Sequence, residues 1–221
     1  MPPPKYRGWN EVLDNLGENL IRLGTSLSAL SQSPSEPISD VAFAQGMESA
    51  ASGFRLAFRQ ARTALVSGEK VFLQLVRAST EELVASQSLG ESGPASHAHT
   101  LVHEGVLVCQ EMVTVLNQVE HAAQTDPERT RRTFTPSLRI LAETTASAGW
   151  ELRTACHEYG AEVRLAESKG LNVKELIPVS LGLLHDMSNA AHSLRVARRE
   201  WFRVGQRLGV SLGETASAGT S

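Results

Sequence analysis

The chain has 221 residues, of which 41% are hydrophobic and 20% charged, and it carries a formal net charge of -3. A balance this close to neutral, with a pI of about 6.2, excludes the basic field of a nucleic-acid binder, so no nucleic-acid partner is expected. Aromatic residues make up only 5%, and the dominance of Ala, Leu, Val, Ser and Glu suits helix–helix seams better than sheet-backed cores.

Residues 1–8, beginning Met1-Pro2-Pro3-Pro4-Lys5, lack the apolar stretch of a signal peptide and the Arg- and Ser-rich look of a transit peptide. They read as an N-terminal extension. No apolar run approaches the ~20 residues needed to span a bilayer. The expectation is a soluble, cytoplasmic chain that reaches a membrane only peripherally, through local patches.

Residues 9–209 read as a single elongated helical domain. Trp9, Leu13, Leu16, Leu20, Leu23, Leu27 and Leu30 keep a four-three spacing without a miss, which is a coiled-coil seam. The seam stops at 33–37, where Pro34 and Pro37 interrupt the helix ladder. A second helix is expected from about Ile38 to Gln87 on the stripe Met47, Ala51, Phe54, Phe58, Ala61, Leu65, Phe72, Leu75 and Leu83. It would extend roughly 75 Å at 1.5 Å per residue. Helix-stop chemistry at 89–95 ends it.

The third helix, about 96–124, places Val102, Val106, Cys109, Val113, Leu116 and Ala123 on one face. At the turn 124–127, Asp126 reads as an N-cap, Pro127 as the first helical residue and Glu128 as a complement to the helix dipole. The fourth stretch carries Phe134, Leu138, Leu141, Thr145, Ala148, Leu152, Ala155, Tyr159 and Ala166, and Pro136 should kink or restart it. A break or kink is expected near 169–178, around Gly170 and Pro178. The last stripe is Leu184, Met187, Ala191, Leu194, Ala197, Trp201, Val204 and Leu208. Residues 210–221 are small and polar, and read as a disordered tail.

The fold class is therefore all-α: an elongated antiparallel bundle of long kinked helices joined by short turns. Seams of Ala, Val and Leu bury modest area per turn, so a monomer would have a thin core and self-association could cover a second stripe. Gly46, Gly53, Gly68, Gly105, Gly149, Gly160, Gly182 and Gly205 each cost about 1 kcal/mol of helix propensity against Ala. Either close helix approach compensates for them, or they lie on exposed faces.

Catalytic signatures are missing. Cys156 and His157 are sequence neighbours, so their side chains point about 100° apart on a helix and do not form a nucleophile–base pair; His185-Asp186 fails likewise. His97, His99 and His103 gather near a helix start without a matching acid and read as solvated. Cys109 and Cys156 read as reduced core residues. No phosphate loop, dinucleotide motif or nucleophile elbow occurs. No enzyme activity, metal or cofactor is expected.

Arginine clusters remain. Arg55, Arg59 and Arg62 share one helix face; Arg129, Arg131 and Arg132 crowd the turn after the third helix; Arg195, Arg198, Arg199, Arg203 and Arg207 surround Trp201 and Phe202. They are solvated flanks paired with acids, or contacts for phosphate head groups or a protein partner, where each basic residue near an anionic surface contributes about 1 kcal/mol.

The layout resembles the BAR-domain plan: a first helix interrupted at 33–37, a second leg, and a third from Pro127 to about Leu208. The segments Val173-Lys174-Glu175-Leu176-Ile177 and Leu181 to Ala191 resemble the final helix of arfaptin-type BAR domains. The resemblance implies a three-leg coiled coil, a crescent-shaped antiparallel homodimer, and contact with curved anionic membranes while engaging a small GTPase or adaptor. It puts Arg129, Arg131 and Arg132 at the distal tip. The chain departs from the family in having only four lysines, Lys5, Lys70, Lys169 and Lys174. The expected function is a non-enzymatic dimeric scaffold for membranes or partner proteins; the alternative is a cytosolic coiled-coil adaptor or assembly subunit without lipid binding.

Overall fold

The computed structural model describes residues 6–31, 38–59, 94–170 and 181–208. Among these residues all regular structure is helical: α1 (Tyr6–Ser31), α2 (40–59 in its described part), α3 (Pro94–Thr125), α4 (Pro127–Ser168) and α5 (Leu181–Arg207). The chain is an all-α bundle. No helix among the described residues is long and apolar enough to cross a membrane.

The helix ends follow their local chemistry. Ser39 caps α2, its Oγ accepting from the Ala42 amide at 3.2 Å. Asp126 is the single non-helical residue between α3 and α4. Its amide still bonds the Ala122 carbonyl at 2.8 Å, while its Oδ1 takes the Arg129 amide at 3.1 Å. One side chain thus closes one helix and opens the next, with Pro127 in the first position where its missing N–H costs nothing. α4 ends at Ser168, followed by Gly170 at φ +68, the left-handed conformation that a glycine adopts without strain.

Two close approaches set the direction of α1 against α4. A Cβ on Gly17 would meet Arg153 and the Gly149 carbonyl, and one on Gly24 would meet the Ala142 carbonyl and Ala146. Moving up α1 therefore moves down α4, so the pair is antiparallel. On α3 and α5, Glu104 pairs with Arg195 and Glu111 with Arg198; both numbers rise together, so these two run parallel. α2 turns back beside α1, with Gly46 against Leu30, and Arg131 at the start of α4 reaches Asp40.

The core runs along all five helices. Leu13, Leu16, Leu20, Leu23 and Leu27 are buried on α1, and Phe43, Met47, Ala51, Phe54 and Phe58 on α2. On α5, Trp201 is fully buried and its indole N–H donates to Thr145 Oγ1 of α4 at 2.9 Å. This bond gives two buried polar groups a partner, which is worth more than its net energy because either one alone would be left unsatisfied.

Three expectations need correction. Pro136 does not restart the helix: α4 continues through it from Pro127 to Ser168. The stretch 127–208 is not one leg with a kink near 169–178. Thr145 and Trp201 are 56 residues apart, about 84 Å along a continuous helix, yet they are hydrogen-bonded. α5 folds back onto α4; residues 171–180, with Pro178, lie outside the described residues. On α3 the buried face is turned from the expected stripe: Leu101, Val108, Met112, Val115 and Val119 are buried with Cys109, Leu116 and Ala123, while Val106 and Val113 are only half-buried, because this helix packs on α5 and also meets α4 and α1. The breaks at 33–37 and 89–95 lie outside the described residues except for 94–95, which open α3.

Candidate interaction surface

The three arginine groups stay apart. On α2, Arg55 bonds Asn117 Oδ1 at 2.9 Å and Glu120 Oε2 at 2.7 Å, both on α3, so it is a strut between helices. Arg59 is also engaged, and Arg62 lies outside the described residues. At the α3–α4 turn, Arg131 Nε is 2.6 Å from Asp40 Oδ1 and Arg132 Nη2 is 2.7 Å from Glu128 Oε1. The exposed Arg129 side chain makes no ion pair among the described residues.

On α5, Arg195 and Arg198 reach across to Glu104 and Glu111 of α3, at 2.9 and 2.8 Å. Both acids are mostly buried and each keeps a buried Oε2 without a hydrogen-bond partner. Arg203 pairs with Glu200 of its own helix at 2.5 Å. Arg199 and Arg207 are exposed and make no ion pair among the described residues.

The two thiols lie in the core of the bundle. Neither cysteine is in a disulfide and both are buried. Burial pushes the Cys109 thiol well up from its ordinary value, and burial aided by the Asp14 carboxylate pushes Cys156 up to about 12. A thiol held protonated is a poor nucleophile. His157 is largely exposed, its Nε2 3.3 Å from Asp14 Oδ1, which Arg153 Nε also holds at 3.0 Å. Donating a hydrogen bond to the Asp14 carboxylate raises the Arg153 pKa, so that strut stays charged. Among the described residues no three His, Cys, Asp or Glu side chains are grouped to hold a metal.

The most unusual surface is one that the stripe pattern does not mark. Trp150 is 58% exposed, Leu165 47% and Ile140 44%, all on α4. At 100° per residue the three fall within a sector of about 80°, spread along roughly 37 Å of helix. Ser147, Thr154 and Ala161 lie on the same outward face and are also exposed. The opposite face of α4 buries Phe134, Leu138, Leu141, Thr145, Ala148 and Leu152. The outer row is thus a second, unfilled stripe on a helix whose first stripe is fully used. Sequence reasoning missed it, although an aromatic residue between seam positions 148 and 152 was a usable signal.

Comparison of the chain with protein-family models, with curated proteins and with solved structures finds no match.

Proposed function

We propose that this chain is a non-enzymatic helical scaffold that binds protein at the outer face of α4. The exposure of Trp150, with Ile140 and Leu165 in line on the same face, carries the reading. Burying an apolar side chain of this size gains on the order of 2 kcal/mol, and aromatic residues are the commonest anchors of protein interfaces. The test is Trp150→Glu in the full chain. Because Trp150 is exposed, the variant keeps its helical circular dichroism and its unfolding midpoint. It loses the set of proteins that proximity labelling recovers around wild type in cells. Recovery of the same set by the variant overturns the reading.

A second reading is a BAR-type dimeric scaffold facing an anionic membrane, supported by the turn arginines. Arg131 holds the Asp40 carboxylate, while Arg132 has only an exposed partner one turn away in Glu128, which leaves Arg129 and Arg132. Two basic residues contribute about 2 kcal/mol at such a surface, too little to hold a chain of net charge -3. The protein-binding scaffold is therefore the stronger reading, and wild type is expected to stay in the supernatant with phosphatidylserine vesicles at low salt. Pelleting that Arg129→Glu abolishes would reverse that order.

A further inference from the structure

The outward face of α5 is a different surface from the α4 row and has different chemistry. Arg195, Arg199, Arg203 and Arg207 follow one another at four-residue steps, with Phe202 38% exposed among them. Against five arginines, α5 contributes two acids, Asp186 and Glu200.

We propose that this face docks an acidic segment of a partner protein, with carboxylates spaced about two helical turns apart to meet Arg199 and Arg207, and an apolar residue over Phe202. The face already binds carboxylates within the chain. Arg195 holds Glu104 through its Nε, and Arg198 holds Glu111 in the same way. Those two are fixed to mostly buried acids and serve the fold. Arg203 is likewise held, by Glu200 one turn away on the same helix, an acid covered as fully as Glu104. Arg199 and Arg207, on either side of it, make no ion pair among the described residues.

Guanidinium groups in a row are suited to acidic motifs because each presents a fork of donors to a planar carboxylate. A lipid surface fits less well. Each basic residue adds about fivefold to adsorption, so the two arginines without an ion pair among the described residues supply about 25-fold, against a chain of net charge -3. The single partly exposed Phe202 offers little to insert. The proposal is independent of the α4 row, and Trp150→Glu leaves it unchanged.

The experiment titrates the full chain against two fluorescent helical peptides, one with glutamates about two helical turns apart interleaved with leucine, the other with every glutamate replaced by glutamine. Phosphatidylserine vesicles form a third arm. The glutamate peptide is expected to bind at least tenfold more tightly than the glutamine one. The Arg199→Glu, Arg207→Glu double variant should weaken it at least tenfold, and Phe202→Ser a few-fold, with unfolding midpoints unchanged. Equal binding of the two peptides overturns the proposal, as does indifference to the double variant. Vesicle binding abolished by the double variant, with neither peptide bound, assigns the face to a membrane and also overturns it.

Discussion

Cys156 shows how one side chain ties fold to solution conditions. It sits on α4 beside Arg153, almost fully buried, and its thiol is pushed from 9.0 up to about 12. Below pH 9 the thiol is protonated in folded and unfolded chains alike, and its contribution is fully present. Above pH 9 the unfolded chain sheds the proton while the folded chain keeps it, so stability falls as pH rises toward 12, by about 1.4 kcal/mol per unit for one thiol. Urea midpoints at pH 8 and pH 10.5, under reducing conditions, measure this. Cys156→Ala is expected to start lower, from the lost packing, but to fall less steeply; an equal slope in both proteins would show that Cys156 is not the titrating group. The burial of this residue was legible from its place beside the stripe. The influence of Asp14 was not, since that residue is 142 positions away and is brought near only by the α1–α4 pairing.

At the scale of the elements, glycine separates what a helix wants alone from what it needs in a pair. A Cβ on Gly149 would lie 2.5 Å from the Gly17 carbonyl oxygen and 2.9 Å from the Ile21 amide nitrogen, both backbone atoms of α1. Neither can move without separating the two helices. Gly149→Ala should therefore destabilise the protein by about 1–3 kcal/mol despite its better helix propensity. Gly53 meets nothing within 4 Å, so Gly53→Ala should stabilise by up to about 1 kcal/mol. Chemical denaturation of both variants checks the pair, and the same sign of change in both would refute the account. Sequence reasoning noted Gly149 and Gly53 without telling them apart, and it passed over Gly17 and Gly24. Glycine spacing within one helix does not say which other helix it faces.

In the whole molecule, α5 closes the bundle. It packs on both α3 and α4, its Trp201 bonded to Thr145 and its Arg195 and Arg198 compensating Glu104 and Glu111. Removing it would expose the core faces of two helices and leave two mostly buried carboxylates without their cations. A chain ending at residue 180 is expected to lose its cooperative denaturant transition. A sharp transition in that fragment would show that α1 to α4 suffice.

The four-three spacing of Leu13 to Leu27 and of Phe134 to Ala155 was enough to establish helices and their buried faces, because that spacing is a property of the helix itself. The N-cap at Asp126 was equally local, since cap and amide are three residues apart. What the sequence could not decide was direction and company. A stripe broken at Gly170 is consistent with a kinked leg or a folded-back pair, and the packing of α5 on α4, with the bond between Thr145 and Trp201, distinguishes them. Which arginines hold acids and which face outward was also decided in three dimensions. Arg131 finds Asp40 from 91 residues away, and Trp150 is left on the surface because the other face of α4 fills the core. Periodicity reports which side of a helix is apolar, whereas pairing is set by the neighbours that tertiary packing brings to that side.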